Sequence, residues 1–196
     1  MERRTVAVFD FDGTLTTRDT LLEFVRHTHG TLALYGGLLL LLPVLVLMKL
    51  GLIHNGRAKE RFFAHFYKGW RYDDFRAAGE AFADIVDGFR RDEVLTSLES
   101  HCEHGDEVVV VSASIVEWVA PWCLRNGVDK VIATRVATDR GGRLTGRFAG
   151  SNCYGREKVN RLLAMLPDRE DYILYVYGDS NGDRELLSLA DYPCKV

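Results

Sequence analysis

Two aspartates, separated by one residue, directly follow a short apolar run near the start of the chain. The run is Val6-Ala7-Val8, and the segment after it reads Phe9-Asp10-Phe11-Asp12-Gly13-Thr14. An apolar run that does not alternate with polar residues is typical of a central parallel strand covered on both faces. Carboxylates at the end of such a strand are costly to bury unless something binds them. The segment therefore indicates a site for a divalent cation and a phosphate.

The length, charge and cysteines of the chain set outer limits on its class. With 196 residues it can form one core that carries a smaller inserted unit. The formal net charge of −3 provides no basic field, so nucleic acid is not predicted as a partner. Residues 1–4 precede only a few apolar residues, which argues against a signal peptide. The scattered cysteines fit neither a zinc site nor a disulfide scaffold and predict a cytoplasmic, reducing location: Cys102, Cys123, Cys153 and Cys194.

Three apolar runs predict the strands of a parallel sheet, at residues 5–9, 107–111 and 172–177. After residue 92, helical patterns alternate with these runs, which is the order of an α/β fold. We therefore predict a doubly wound, mainly parallel, Rossmann-like sheet. In such a sheet, ligands bind outside the carboxyl ends of the strands.

The long stretch after the acidic segment shows helical patterns and no convincing strand. We therefore predict an α-helical cap at residues 17–91, inserted into a catalytic core formed by residues 1–16 and 92–196. Within the cap lies an apolar segment, residues 32–53, whose first part carries no charge and which we expect to break near Pro43. Its length is at the lower limit for a membrane span.

Local patterns predict smaller features of the fold. Asp139-Arg140-Gly141-Gly142 predicts the turn of a hairpin whose first strand covers residues 131–138. Ser114 and Glu117 have the spacing of a capping box at a helix start. Asp73 is a candidate cap for a helix in the second half of the cap.

Polar residues also follow the second and third predicted strands. Ser112 follows the second strand, and Gly178-Asp179-Ser180-Asn181-Gly182-Asp183 follows the third. Lys158 lies on a predicted helix between them. Because the carboxyl ends of parallel strands meet at one edge of the sheet, we expect these side chains to lie near Asp10 and Asp12.

Each of these signals has a plain structural alternative when it is taken alone. Asp10 and Asp12 could form a turn, residues 178–183 could be a turn or a calcium loop, and Lys158 could be a solvated lysine. The segment His101-Cys102-Glu103-His104 has the composition of a metal site, but its position at a helix end favours a solvated helix face.

Taken together and in this order, the signals resemble the four motifs of the haloacid dehalogenase (HAD) superfamily of phosphatases. The matching segments are Asp10-Phe11-Asp12-Gly13-Thr14, Val111-Ser112-Ala113, Gly155-Arg156-Glu157-Lys158 and residues 178–183. A helical cap between the first two motifs is similar to that of subfamily IB, the branch of the phosphoserine phosphatases. The resemblance spans nearly the whole chain.

The resemblance implies a Mg²⁺-dependent phosphomonoester hydrolase that works through an aspartyl-phosphate intermediate. Asp10 is then the nucleophile, and Asp12 is the general acid and base. Mg²⁺ is held by Asp10, by Asp179 and by the backbone carbonyl of Asp12. Asp183 supports the site by orienting either a metal-bound water or Lys158.

The same resemblance implies which residues bind the substrate's phosphate. The hydroxyl of Ser112 and the amide of Ala113, near a helix start, are expected to donate to phosphate oxygens. Lys158 supplies positive charge for the developing phosphoryl oxygens. Thr14 is expected to hold the loop around the nucleophile.

The substrate stays open between a small phosphometabolite and the head-group phosphate of a phospholipid. Ser112-Ala113-Ser114 departs from the Ser-Gly-Gly of phosphoserine phosphatases, and Asn181-Gly182 departs from their Ala-Asn, which argues against phosphoserine. Residues 32–53 are similar in placement to the hydrophobic cap segment of phosphatidylglycerophosphatase C. They are expected either to contact the inner face of a membrane or to pack as buried helices.

Two other classes of function remain as alternatives. A phosphotransferase would use the same site residues and differ only in the acceptor of the phosphoryl group. A binding domain with a vestigial site usually lacks the nucleophile or the lysine, and both are present here. The pattern does not indicate an oligomeric state.

Overall fold

The protein is described from a computed structural model that covers residues 3–196. Met1 and Glu2, which belong to the segment whose sequence argues against a signal peptide, lie outside the described residues. The strands are β1 (Arg4–Phe9), β2 (Glu107–Ile115), β3 (Lys130–Thr134), β4 (Val136–Thr138), β5 (Leu144–Phe148), β6 (Tyr172–Gly178) and β7 (Tyr192–Lys195). The helices are α1 (Thr20–His29), α2 (Thr31–Leu40), α3 (Leu42–Lys49), α4 (Asn55–Tyr67), α5 (Tyr72–Val86), α6 (Asp92–Glu103), α7 (Val116–Arg125), α8 (Arg156–Met165) and α9 (Arg184–Leu189). Short 3₁₀ turns occupy Asp87–Phe89, Arg169–Asp171 and Asn181–Asp183.

Five of the strands form one parallel sheet in the order β3-β2-β1-β6-β7. β1 is the central strand, with Val8 opposite Val109 of β2 on one side and Val176 of β6 on the other. This arrangement confirms the predicted fold class. It also places the carboxyl ends of β1, β2 and β6 side by side.

The two faces of the sheet are covered by separate apolar clusters. Ala7 and Phe9 of β1 point into the larger cluster, which includes the aromatic residues of the cap. Val6 and Val8 point into the smaller cluster, which is completed by α8 and α9. Because β1 is covered on both faces, its apolar run shows no alternation.

Helices α1 to α5 lie between β1 and α6 in the chain, within the bounds proposed for the cap. Phe24 of α1 packs against Trp118 of α7 with ring centroids 4.5 Å apart, and against Phe75 and Phe82 of α5. Cap and core residues therefore share one aromatic cluster. The division of the chain into a core (1–16, 92–196) and a cap (17–91) stays our proposal.

The apolar segment forms the two helices α2 and α3, which meet at Leu41. Pro43 lies in the first turn of α3, where a missing amide proton costs little, and the predicted break near it is confirmed. Among the described residues, no helix taken singly has the length and apolar character for a membrane span. Only α2 and α3 together meet such a criterion, and their axes are bent by 59°.

The local patterns had mixed outcomes. β4 and β5 form the predicted antiparallel hairpin, but residues 131–138 are two strands, because β3 pairs with β2 and β4 pairs with β5. The predicted capping box at Ser114 is wrong: β2 continues to Ile115, and α7 begins without a side-chain cap. Asp73 lies inside the first turn of α5 and does not cap it.

Of the two histidines in the segment at residues 101–104, His101 is not solvated. His101 is half-buried beneath β1; its Nδ1 lies 2.6 Å from Oδ2 of Asp106, and its Nε2 lies 3.1 Å from the hydroxyl of Tyr177. The expectation of a solvated helix face is therefore wrong for His101, although Cys102 and His104 are exposed. The packing of His101 against Phe9 gives it a structural role.

Candidate active site

A buried lysine joins two aspartates at the carboxyl edge of the sheet. Nζ of Lys158 donates to Oδ1 of Asp10 and to Oδ1 of Asp183, each at 2.5 Å. The side chain of Lys158 is only 2% exposed. An ammonium group at this depth is stable only because both carboxylates compensate its charge.

The local backbone brings these three residues together. β1 ends at Phe9, and the backbone amide of Asp10 still donates to the carbonyl of Tyr177 in β6. Lys158 lies in the first turn of α8, which starts after Gly155, a residue with φ of +60°. Such a φ suits glycine and allows the chain to turn sharply into the helix.

The position of Asp183 is fixed by the turn that follows β6. Its Oδ2 accepts hydrogen bonds from the backbone amide of Ser180 at 3.2 Å and from the Ser180 hydroxyl at 2.7 Å. This turn passes so close to the strand end that a Cβ on Gly178 would lie 2.8 Å from Cβ of Asp183. Gly178 is therefore needed for Asp183 to reach Lys158.

Burial and charge act in opposite directions on these groups. Burial raises the pKa of Asp10 to about 7, although the ammonium of Lys158 acts to lower it. Burial by itself would lower the pKa of Lys158, but the charges of Asp10 and Asp183 outweigh it, so the net shift is upward. Burial and the charge of Asp183 also raise the pKa of Asp179.

The residues present fit a divalent cation. Carboxylate oxygens of Asp10, Asp179 and Asp183 lie within 4.8 Å of one another. Oδ1 of Asp179 is buried without a hydrogen-bond partner. Three carboxylates beside the single charge of Lys158 leave net negative charge, and hard oxygen donors of this kind suit Mg²⁺.

Glycine is also required on the opposite side of this cluster. Gly13 has φ of +83°, and a Cβ there would lie 2.3 Å from Oδ2 of Asp179. The loop after β1 can therefore pass Asp179 only with glycine at this position. Arg91 holds the same loop, since its side chain donates to the carbonyls of Gly13 at 2.9 Å and Thr14 at 3.2 Å.

The carboxylate of Asp12 is held by hydroxyl groups from the cap and from β2. Its Oδ1 accepts from the amide of Thr20 at 2.9 Å and from the Thr20 hydroxyl at 2.6 Å. Its Oδ2 accepts from the hydroxyl of Ser114. Nε1 of Trp118 donates to the Thr20 hydroxyl at 3.0 Å, which fixes the orientation of that group.

Burial and the charge of Asp19 raise the pKa of Asp12, while Lys59 and the hydrogen bonds from Ser114 and Thr20 act to lower it. The carboxyl group therefore lies in an environment that favours the protonated form more than water does, yet supplies donors to the ionised form. Such a balance suits a group that exchanges a proton.

Of the predicted phosphate-binding side chains, Thr14 and Lys158 contact Asp10, whereas Ser112 does not. Thr14 donates to Oδ2 of Asp10 at 3.4 Å, and Lys158 is paired with Asp10. Ser112 is buried inside β2, and its hydroxyl accepts the amide of Ser114 at 2.9 Å. Ala113 also lies within β2, three residues before the first residue of α7.

Four residues of the site were not predicted from the sequence: Thr20, Ser114, Lys59 and Arg91. Nζ of Lys59 in α4 donates to the carbonyl of Ala113 at 3.0 Å, so a cap cation reaches the site. No motif marks Thr20 or Lys59. Ser114 did carry a signal, as a polar residue after an apolar strand, but we assigned its hydroxyl to a helix cap.

These groups open on a cavity of about 450 Å³ between the sheet edge and the cap. Asp10, Asp12 and Lys158 line one end of the cavity, together with Ala113. The remaining wall comes from the cap and from the loops after β5 and β6, and it includes apolar residues of α2 and α3. Pockets of this size hold small organic ligands.

A doubly wound sheet with a lysine-paired aspartate and an acidic cluster at its carboxyl edge defines a phosphatase of the α/β class. Residues 7–188 match the haloacid dehalogenase-like hydrolase family, and the chain belongs to that family. The superfamily and the enzyme class predicted from the sequence are thereby confirmed.

The chain is similar to curated proteins along most of its length. It is 34% identical over 191 residues to Protein CicA of Caulobacter vibrioides, covering 95% of this chain and 83% of CicA. It is 30% identical over 200 residues to a probable phosphatase of Mycobacterium tuberculosis, covering 98% of this chain and 69% of that protein.

Among solved structures, the fold is similar to that of a phosphoserine phosphatase determined with bound substrate. The TM-score is 0.68 with 17% sequence identity, and the match covers 97% of this chain and 84% of the phosphoserine phosphatase. At 17% identity, the similarity shows that the two proteins share a fold.

Proposed function

We propose that the protein is a Mg²⁺-dependent phosphomonoester hydrolase in which Asp10 is the nucleophile and becomes an aspartyl-phosphate. The observation that carries this proposal is the set of groups that surround the carboxylate of Asp10. Its carboxylate is paired with Lys158 on one side, borders the carboxylates of Asp179 and Asp183 on another, and lines the open cavity.

In the proposed first step, an oxygen of Asp10 attacks the phosphorus of the ester, and the bond from phosphorus to the leaving alkoxide breaks. Lys158 offers its charge to the phosphoryl oxygens while it holds Asp10 in place. Asp10, Asp179 and the carbonyl of Asp12 would hold Mg²⁺, whose positive charge would offset the repulsion between the anionic nucleophile and the anionic ester. Asp183 orients Lys158, which is one of the two roles that we expected of it.

Asp12 carries the proton in both halves of the proposed reaction. In its protonated form it donates to the leaving alkoxide, and as a carboxylate it then removes a proton from the water that hydrolyses the aspartyl-phosphate. The raised pKa of Asp12 supports the first role, and its donors Thr20 and Ser114 support the second by stabilising the charged form. The acid and the base are thus one residue.

The phosphate is proposed to bind between Asp10, Lys158 and the backbone of β2 at Ala113. Ala113 lines the cavity, and its amide is our candidate donor to a phosphate oxygen. Ser112 is the candidate side-chain donor from the same strand, and Thr14 supports Asp10 through its hydroxyl. A phosphotransferase would share all these contacts, and transfer to an added alcohol distinguishes it from a hydrolase.

For the substrate, a small phosphometabolite and the head-group phosphate of a phospholipid both fit the polar end of the cavity. Contact of residues 32–53 with the inner face of a membrane is part of the same proposal. Large apolar side chains of this segment are exposed, including Leu32, Leu39 and Leu50. The exposed cation Lys49 lies within the segment, and Arg57 lies shortly after it. Such a surface suits an anionic bilayer.

The substitution Asp10→Asn tests the nucleophile. We expect it to reduce hydrolysis of p-nitrophenyl phosphate with Mg²⁺ at least a thousandfold, because an amide cannot form the acyl phosphate. Asp129→Asn is the matched control and should keep wild-type activity, because Asp129 is exposed and directly precedes β3, at the amino end of that strand. The proposal is wrong if Asp10→Asn retains substantial Mg²⁺-dependent turnover while its melting temperature equals that of the wild type.

A further inference from the structure

The cavity at the active site has two chemically different ends. One end carries Asp10, Asp12 and Lys158. The other end is formed by apolar side chains of the cap: Leu21 and Leu22 of α1, Leu38 of α2, Leu45 and Met48 of α3, and Phe62 of α4. A phosphate with a short polar alcohol would use the first end and leave the second in contact with water.

The apolar end is incompletely covered by protein. Leu38, Leu45 and Met48 are each half-buried, whereas Phe62 behind them is 5% exposed. Their uncovered surfaces face a cavity that leads to Asp10. Covering such surface with an apolar ligand is favourable in proportion to the area removed from water.

Helices α2 and α3 differ from the other cap helices in their patterning. α1 and α5 each bury one apolar face and expose a polar one, as cap helices at a protein surface usually do. α2 and α3 are apolar on all sides, so the outer residues Leu39 and Leu40 are exposed while Leu38 borders the cavity. The packing of the cap needs only one of these faces to be apolar. A bound apolar ligand would therefore account for the apolar character of the face that lines the cavity.

We infer that the substrate is a phosphomonoester whose alcohol carries an apolar chain, and that this chain lies between α3 and Phe62 of α4 while the phosphate meets Asp10. The inference rests on the proposed function, since it assigns the phosphate to the same site. It selects, from the substrates left open, those with an alkyl or acyl chain.

The cavity is also lined by polar groups outside the catalytic cluster. These are Asn55 and Lys59 of α4, Asp19 before α1 and Asn152. They can contact hydroxyl or ester oxygens between the phosphate and the chain. A simple alkyl phosphate lacks those oxygens and therefore isolates the contribution of the chain.

The test uses a series of n-alkyl phosphates, from ethyl to octyl, each kept below its aggregation concentration with Mg²⁺ present. We expect kcat/KM to rise about fourfold for each methylene group that is buried, which is what the transfer of a methylene out of water provides. Equal kcat/KM for ethyl and octyl phosphate would overturn the inference and leave the phosphatase proposal standing. Failure to hydrolyse any ester, p-nitrophenyl phosphate included, would instead overturn the proposed function.

Two adjacent leucines of α2 provide a matched pair of variants. Leu38→Gln changes the cavity wall, and we expect it to lower kcat/KM for octyl phosphate about tenfold with little change for ethyl phosphate. Leu39→Gln changes a side chain that is 72% exposed and should leave both values unchanged. The inference is contradicted if the two variants have the same effect on octyl phosphate.

Calorimetry with the Asp10→Asn protein gives a readout that does not need turnover. Octyl phosphate should bind to it more tightly than ethyl phosphate, and addition of Leu38→Gln should reduce that difference about tenfold. This measurement also covers the case in which Leu38→Gln alone folds poorly, because the comparison of the two ligands on the Asp10→Asn protein stands without it. Equal affinities there would count against the chain-binding role of the cavity.

Discussion

The hydroxyl of Thr20, the first residue of α1, lies 2.6 Å from Oδ1 of Asp12 in the loop after β1. Thr20 belongs to the proposed cap, and Asp12 to the proposed catalytic core. On the other oxygen, Asp12 accepts from Ser114 of β2. The proposed acid and base is therefore held from both sides of the active-site cleft, and its ionisation depends on how the cap sits on the core.

The substitution Thr20→Val tests this relationship, since valine keeps the shape of threonine without the hydroxyl. Loss of a donor to the ionised carboxylate should raise the pKa of Asp12 further, so the acidic limb of the pH profile of kcat should move to higher pH. We expect kcat near neutral pH to fall about tenfold. Steady-state rates from pH 5 to 9 measure both effects.

Thr138→Val is the control for this experiment, because Thr138 is an exposed threonine of β4 outside the site. It should leave the pH profile unchanged. If Thr20→Val lowered kcat equally at every pH, the hydroxyl would act through general destabilisation of the site, and its proposed influence on the Asp12 proton would be wrong.

The buried lysine gives a prediction about stability. Lys158→Met leaves Asp10 and Asp183 without their shared counter-ion, and removal of one member of a buried charge pair costs about 3 to 5 kcal/mol. Urea unfolding without Mg²⁺ should show this loss in the free energy of unfolding. Because burial raises the pKa of Asp10 to about 7, the loss should be larger at pH 8, where this carboxyl is charged, than at pH 5.

Lys130→Met is the matched control for Lys158→Met. Lys130 pairs with Glu107 at the opposite end of β2, but its side chain is 42% exposed. Removal of such a surface pair should cost about 0 to 1 kcal/mol. Equal losses for the two variants would show that Lys158 is not needed to compensate the buried carboxylates.

The sequence predicted the parts of the site that depend on the ends of parallel strands. Asp10 and Asp183 follow strands β1 and β6, which are neighbours in the sheet, so their encounter follows from the topology once both runs are recognised as strands. Lys158 could be predicted from its order in the motifs. These residues are constrained by short distances along the chain from a strand end or a helix start.

The contacts across the cap could not be predicted in the same way. Thr20 and Trp118 are 98 residues apart in the chain, so their meeting depends on how α1 packs on α7. Hydroxyl residues are common, and no spacing rule marks these. The capping-box prediction failed for another reason: β2 extends past Ser114 to Ile115, and the Ser114 hydroxyl donates to the carboxylate of Asp12, which follows the neighbouring strand β1.

Binding of Mg²⁺ should weaken as pH falls. A carboxyl group must lose its proton to hold the metal, and the pKa of Asp10 is raised to about 7 by burial. If this one proton is displaced, the dissociation constant at pH 6 should be about tenfold higher than at pH 8. Calorimetry in two buffers of different ionisation enthalpy measures the affinity and the proton released. A pH-independent affinity with no proton release would contradict the raised pKa.

Membrane contact through the apolar segment leads to the last prediction. Leu39 of α2 and Leu47 of α3 are exposed apolar residues on the surface of the cap, and the exposed cations Lys49, Arg57 and Arg61 follow them in the chain. We expect the protein to float with liposomes that contain an anionic lipid and to do so less with neutral liposomes or in 1 M salt, since salt screens the attraction between the cations and the lipid.

The double variant Leu39→Ser, Leu47→Ser should lose flotation. Leu124→Ser should keep it, because Leu124 is equally apolar and 69% exposed but lies on α7 of the core. Flotation that is lost in both variants, or that is absent from the wild type, would assign the apolar surface of α2 and α3 to a contact other than an anionic bilayer.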